Sequence, residues 1–252
     1  MQNMRGHIVL VLIIILSSMT ALGNEIFQKA NEAYNQKDYV NAIVQYEALI
    51  KEGYKDAMLY YNLGNACYKD NQLAKSLLWY ERALRLNPGN EDIKHNIAFV
   101  NQQTIDNMEA QPEFFLRTWF YTVRDLFTVQ RWAIFSIGFI AIGCICIGLL
   151  LILSSARWRM GLFVVACIVF VLGVGGVVFA CLQKNNINRT DEAIIMQKIV
   201  TIKSMPDMSG TDLFTVHEGI KIQITDKAGN WIEVRFANGD KGWIKKDAVE
   251  II

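Results

Sequence analysis

The chain has 252 residues, 25 Lys and Arg against 24 Asp and Glu, a formal net charge of +1 and a hydrophobic fraction of 52%. Acids and bases are mixed along it, so no basic stripe is available for nucleic acid. Four of the five cysteines, Cys144, Cys146, Cys167 and Cys181, lie in apolar runs. Cys67 stands alone, which leaves no intramolecular disulfide for a soluble part and no CxxC or Cys/His spacing for a metal.

Residues 1–23 read as a signal peptide. Arg5 and His7 precede an apolar core, Ile8–Leu16, and a small-residue cleavage site closes the segment at Ala21-Leu22-Gly23. Cleavage is expected after Gly23, and a retained anchor is the alternative. Both export the chain from Asn24 onward. No cysteine stands at the cleavage site to carry a lipid.

Residues 24–110 repeat themselves. Ala30 meets Gly64, Asn31 meets Asn65, Tyr34 meets Tyr68, Ala42 meets Ser76 and Tyr46 meets Tyr80, each pair 34 residues apart. That is the period of a helix–turn–helix unit. In the second copy, residues 57–90, Tyr60, Leu63, Gly64, Ser76, Tyr80, Ala83 and Pro88 resemble the tetratricopeptide-repeat signature. Small residues let two helices approach, Tyr80 fills the space between them and Pro88 stops the second helix. The first copy, residues 24–56, is weaker. Residues 91–106 are predicted as one capping helix, with Ile93, Ile97 and Val100 at helical spacing.

Resemblance to this family implies a groove, lined by the first helices, that takes an extended protein segment. Its expected lining is Phe27, Asn31, Tyr34, Tyr61, Asn62, Asn65, Tyr68, Lys69 and Phe99, with His95 at the surface. Amides can donate to and accept from a peptide backbone, and tyrosines add apolar area with a polar tip. Asn31 and Asn62 match asparagines of the family's carboxylate clamp. Phe27, Asp92 and Asn96 stand where that clamp needs basic residues, which argues against capture of an acidic chain terminus.

Residues 111–131 are predicted as an interfacial amphipathic helix opened by Gln111-Pro112-Glu113. Phe115, Leu116, Trp119, Phe120, Val123, Leu126 and Phe127 form an apolar stripe. Arg117, Arg124 and Arg131, seven apart, share a face. Two apolar runs come next, residues 133–153 and 161–182, within a hairpin spanning 132–182 and joined at Ser154–Arg159. About 20 residues at ~1.5 Å each cross the ~30 Å hydrocarbon core, so each run is predicted to span once. Neither run holds a charge, which argues against an ion or proton path. Trp119, Trp132 and Trp158 join the three arginines as expected membrane-interface residues. The pairs Cys144/Gly148 and Gly176/Ala180 are candidate packing contacts between the spans. With an export signal ahead, both soluble parts are expected outside the cytoplasm, and Arg157 and Arg159 inside.

Residues 190–252 change to a period of two, as in Lys221–Thr225 and Ile232–Phe236, with Asn238-Gly239 predicted as a hairpin turn because both residues tolerate positive φ. Pro206, Gly219, Gly229-Asn230-Trp231, Asn238-Gly239 and Gly242-Trp243-Ile244 resemble a bacterial SH3-like domain. Such domains often bind wall peptides or proteins. The expected ligand surface is Asp207, Asp212, Trp231, Glu233 and Trp243.

The expected architecture is therefore an all-α tetratricopeptide-repeat solenoid, a two-helix transmembrane hairpin and a small all-β SH3-like barrel. This order, with Glu91–Asp106, Pro112–Trp119 and Thr211–Ile252, resembles bacterial aerotolerance-operon BatE-type proteins. The resemblance implies membrane-anchored von Willebrand factor A-type proteins and a MoxR-type AAA+ ATPase as partners, in envelope stress or oxygen tolerance. No nucleophile–base set, phosphate loop or metal spacing is present, so no catalytic residues, metal or cofactor are expected. A non-enzymatic adaptor is the leading expectation. A sensor of peptidoglycan peptides is the alternative.

Overall fold

A computed structural model describes residues 24–106 and 114–252. The signal segment and the Pro112 helix opening lie outside these. Contacts divide the chain into two units. Of the described residues, one gathers 24–83, 92–106 and 191–252, and the other holds 84–91 and 114–190. The repeats and the C-terminal strands thus share one unit, although the hairpin separates them in sequence.

The first unit begins with α1 (residues 24–35), α2 (Tyr39–Lys51), α3 (Ala57–Lys69), α4 (Leu73–Leu86) and α5 (Glu91–Asn101). Asp38 caps α2 by accepting from the Asn41 amide, and Asp56 caps α3 by accepting from Met58 and Leu59. The turns also obey the 34-residue offset. Lys37 at φ 64° and Asn71 at φ 61° occupy equivalent left-handed positions. The bonds Asp38 N–H to Ala33 and Gln72 N–H to Cys67 close the same helix-ending motif in both repeats. Gly53, at φ 95°, ends α2 in this way too.

Ala30, Ala33, Ala42, Tyr46, Leu49, Leu63, Ala66, Cys67, Leu77, Tyr80 and Ala83 are buried. Gly64 marks a close approach of two helices: a Cβ there would lie 2.6 Å from the Tyr80 ring. The cap is shorter than the sequence suggests. Helix α5 stops at Asn101, and residues 102–106 form turns. Ile93 and Val100 are its buried contacts.

The C-terminal part is one antiparallel sheet in the order β3-β2-β6-β5-β4-β1-β7. Its strands are β1 (Glu192–Ile195), β2 (Ile199–Lys203), β3 (Asp212–His217), β4 (Lys221–Ala228), β5 (Trp231–Arg235), β6 (Lys241–Lys245) and β7 (Val249–Ile251). Alternation puts Val200, Ile202, Ile222, Ile224, Ile232, Val234 and Ile244 into one core. The β5–β6 connection turns at Asn238-Gly239, as expected: Gly239 has positive φ, at 93°, and Asn238 accepts the Asp240 amide with its side chain. A second, smaller apolar cluster joins Ala74 and Leu78 of α4 to Ile194, Ile252 and Met196 of the sheet part.

The second unit contains α6 (Phe115–Arg124), α7 (Val129–Ile152) and α8 (Ala156–Ile187). The approach to the hairpin is broken. Helix α6 ends at Arg124, and α7 starts afresh with Thr128 as its cap, so Arg131 belongs to α7 rather than to a common face with Arg117 and Arg124. Helices α7 and α8 are long and apolar enough to cross a membrane, and only 17% of the most apolar window of each is buried. Both exceed the predicted spans. The hinge shrinks to residues 153–155, and Arg157, Trp158 and Arg159 fall in the first turn of α8. The buried residues of the pair are Ser136, Gly143 and Cys146 of α7 and Ala166, Gly173, Gly176 and Gln183 of α8. A Cβ on Gly173 would lie 2.9 Å from Ile140, and one on Gly176 would strike Ser136 Oγ. Gly176 is therefore a true contact and Ala180 is half-buried beside it. Cys144 is exposed and Gly148 has open space, so that pair faces away from the seam.

Candidate functional site

The first helices line a concave pocket of about 440 Å³, bounded by Gln28, Asn31, Tyr34, Asn35, Tyr46, Asn62 and Asn65. No charged side chain is among them. Its chemistry is set by a hydrogen-bond unit that occurs twice. Asn31 Oδ1 accepts from the Tyr46 hydroxyl at 2.6 Å and from Asn62 Nδ2 at 3.2 Å. Thirty-four residues on, Asn65 Oδ1 accepts from the Tyr80 hydroxyl at 2.6 Å and from Asn96 Nδ2 at 3.2 Å. An amide oxygen with two donors is saturated, so the Nδ2 groups of Asn31 and Asn65 remain as donors. The two are held by buried tyrosines and spaced by one repeat.

Burial fixes the protonation of this network. It pushes the Tyr46 hydroxyl up to about 12, partly offset by the neighbouring Asn62 amide, and pushes Tyr80 up as well. Both hydroxyls stay neutral donors under ordinary conditions. Burial likewise raises the Cys67 thiol to about 12, which makes it an inert packing group.

The other expected groove residues divide. Tyr61 is half-buried against Tyr80, and Tyr68 stacks edge-on with Phe99 while its hydroxyl pairs with Gln103. Lys69 is exposed, its ammonium 5.8 Å over the Tyr68 ring. Phe99 is 46% exposed and His95 stacks on it. Phe27 lies against Tyr46. Asn96 is tied to Asn65, Tyr61 and Tyr80. Gln28, Asn35, Tyr46 and Asn96 extend the site beyond its expected lining. For Asn96 the sequence does carry a signal, since Asn62 and Asn96 obey the same offset as Asn31 and Asn65.

On the sheet, Glu233 lies directly opposite Trp243, Trp243 opposite Lys203, and Lys203 opposite Asp212. These four form one row on the face away from the core, and Trp231 sits two residues from Glu233 on that face. Lys203 joins the row as an addition. It pairs with Asp212 at 2.5 Å and donates to the carbonyls of Met208 and Gly210, which fastens the 204–211 loop. Asp207 is in that loop, where its carboxylate accepts the Ser209 amide. Glu233 is held by Thr225 and by Lys241.

Among the expected interface residues, Trp119 and Trp158 are 64% and 74% exposed. Trp132 forms a joint: its indole donates to the Arg124 carbonyl at 2.9 Å, and its ring lies against Phe127 and Phe179. Arg117 and Arg124 both lie over Tyr121, and Arg124 also pairs with Asp125.

Comparison with family models agrees with both soluble folds. The tetratricopeptide-repeat model matches residues 27–91, and the bacterial SH3 domain model matches residues 200–250. A search among curated proteins finds no match to the chain. The chain thus carries a tetratricopeptide-repeat region and a bacterial SH3-like domain, separated in sequence by two helices of membrane-spanning length.

Proposed function

We propose that the protein is a membrane-anchored, non-enzymatic adaptor whose repeat groove holds an extended, uncharged segment of a partner protein. The carrying observation is the duplicated Asn–Tyr–Asn unit, whose Asn31 and Asn65 both line an uncharged pocket. A groove that read an acidic terminus would place Lys or Arg there.

Helices α7 and α8 are the anchor in this reading, because their apolar surface is largely uncovered. The first unit bears on topology. It is assembled from residues on both sides of the hairpin, and a packed body cannot straddle a bilayer, so an even number of crossings is favoured. Arg157 and Arg159 at the start of α8 oppose the helix dipole, so the helix itself gains nothing from them. A cytoplasmic position beside anionic headgroups accounts for them. The repeats and the SH3-like domain then lie on the outer side of the bacterial cytoplasmic membrane. Helix α6, with Phe114, Phe115, Leu116 and Trp119 exposed, lies in the lipid interface. The resemblance to BatE-type proteins is the basis for placing the adaptor in an envelope-stress or aerotolerance complex with von Willebrand factor A-type proteins and a MoxR-type ATPase.

The row Asp212, Lys203, Trp243 and Glu233 favours a second reading, recognition of peptidoglycan peptides, because it offers both charges beside an indole. A photoreactive residue placed in the full-length protein in native membranes tests the groove. From Gln28 or Asn35 it should capture a discrete protein. From Val44, exposed on α2, it should not. Equal capture from all three positions, or none from the groove, would contradict the adaptor reading.

A further inference from the structure

The sheet part is not a free module in this fold. Ala74, Leu78, Glu81 and Arg82 follow one another at helical spacing, so they form one stripe of α4, opposite Ser76, Tyr80 and Ala83. The SH3-like domain sits on that stripe. Its apolar contribution is small: Ala74 and Leu78 meet Ile194, Ile252 and Met196. Charge makes up much of the rest. Lys221 Nζ pairs with Glu81 at 2.9 Å and with Glu192 at 3.2 Å. Arg82 pairs with Glu250 at 3.1 Å, donates to the Ile251 carbonyl, and is braced by Trp79 at 4.5 Å. At the far side the turn after α5 reaches over. Asp106 accepts the His217 backbone N–H at 2.6 Å, and the His217 ring nitrogen lies 3.1 Å from the same carboxylate. Thr104 is close enough to Gly219 that a Cβ there would lie 2.9 Å from its methyl.

Two of the contacts are ion pairs of opposite sense, Glu81 with Lys221 and Arg82 with Glu250, and Asp106 adds a hydrogen bond to His217. Burial works against the Lys221 ammonium, but Glu81 and Glu192 outweigh it and hold its pKa above that of an ordinary lysine. A space of about 150 Å³ remains between Asn101, Thr104 and Asp106 on one side and Gly219, Ile220, Lys221 and Ala237 on the other, so the junction is not filled like a core. Interfaces between domains hold rigidly when large and hydrophobic, and move when small and polar. This one is of the second kind.

We propose that the SH3-like domain is seated on the repeats by a salt-releasable clasp, made by Lys221 on Glu81, Arg82 on Glu250 and Asp106 on His217. Seated, it covers the outer face of α4 and leaves both the groove and the Trp231/Trp243 face open. Released, it frees β1 and β7 and uncovers Ala74 and Leu78. The two modules are then one body with two states rather than independent binders on a common anchor. This holds whichever ligand the groove takes.

The His217 amide is a direct reporter, because its hydrogen is bonded to a side chain across the junction and not within the sheet. Its exchange is measured by NMR on the full-length protein in nanodiscs. It should be slow at low salt and faster by roughly tenfold or more at ~1 M NaCl, where screening acts within ~3 Å. Lys221→Glu should have the same effect, and Glu81→Lys combined with Lys221→Glu should restore slow exchange. Because Lys221→Glu also faces Glu192, Arg82→Ala is the independent variant. It disturbs no pair inside the SH3-like domain and should speed the same amide. The Val216 and Ile232 amides, within the sheet, should stay slow throughout. Unchanged His217 exchange in salt and in Arg82→Ala would overturn the clasp.

Discussion

Gly64→Val is expected to cost the repeat region about 3 kcal/mol and to remove its cooperative melting transition from the full-length protein. The position admits no Cβ, because the ring of Tyr80 lies 2.6 Å from where it would stand. Tyr80 cannot give way. It is 1% exposed, and its hydroxyl is tied to Asn65. A loss of about 3 kcal/mol is a large share of a total of ~5–15 kcal/mol for a domain of ordinary stability. Gly53→Ala is the control. Gly53 needs its positive φ but has no neighbour within 4 Å, so only left-handed strain applies, about 1 kcal/mol. Calorimetry of both variants checks this. Equal melting of Gly64→Val and the parent would show that the helices are not in contact there.

Asn65→Ala is expected to destabilise by about 2 kcal/mol, because it takes the acceptor from a buried tyrosine hydroxyl. Tyr80→Phe removes the same bond from the other end and should cost about 1 kcal/mol. Together they should cost less than the sum, since the double variant leaves no orphaned hydroxyl. A double-mutant cycle by denaturant unfolding gives the coupling directly. Strict additivity would mean that the Asn–Tyr bond is not a unit. Asn65 is therefore as much a structural residue as a groove residue. Gln28 and Asn35, which line the same pocket from exposed positions on α1, are the cleaner probes of binding.

Local and periodic features of this chain are readable without coordinates. The 34-residue offset predicts the helices and Tyr80 against Gly64. It continues into features that composition does not show, such as the left-handed turn residues Lys37 and Asn71. The alternation from Lys221 to Phe236 likewise predicts which side chains of β4 and β5 point inward. What escapes is of two kinds. Helix ends escape because apolar content does not mark them: α8 begins at Ala156, taking in two arginines that look like a hinge, and the Asp125–Thr128 break divides a stripe that looks continuous. Long-range pairing escapes because it has no period. Glu81 and Lys221 are 140 residues apart, and Asp106 and His217 are 111 apart, with the whole hairpin between the members of each pair. Trp132 illustrates both kinds. An indole beside an apolar run suggests the lipid interface; that its N–H also closes the joint between α6 and α7 is not legible there.

The clasp changes what the hairpin has to do. Two independent modules would tolerate either side of a membrane, but modules that share an interface do not. The decisive measurement is protease accessibility in spheroplasts of the source cell, with epitopes on the repeats and at the C-terminus. With one shared body on the outer face, protease added outside should remove both epitopes while the membrane is intact. Protection of one epitope alone would contradict the shared body. Protection of both would contradict the placement of the adaptor on the outer face.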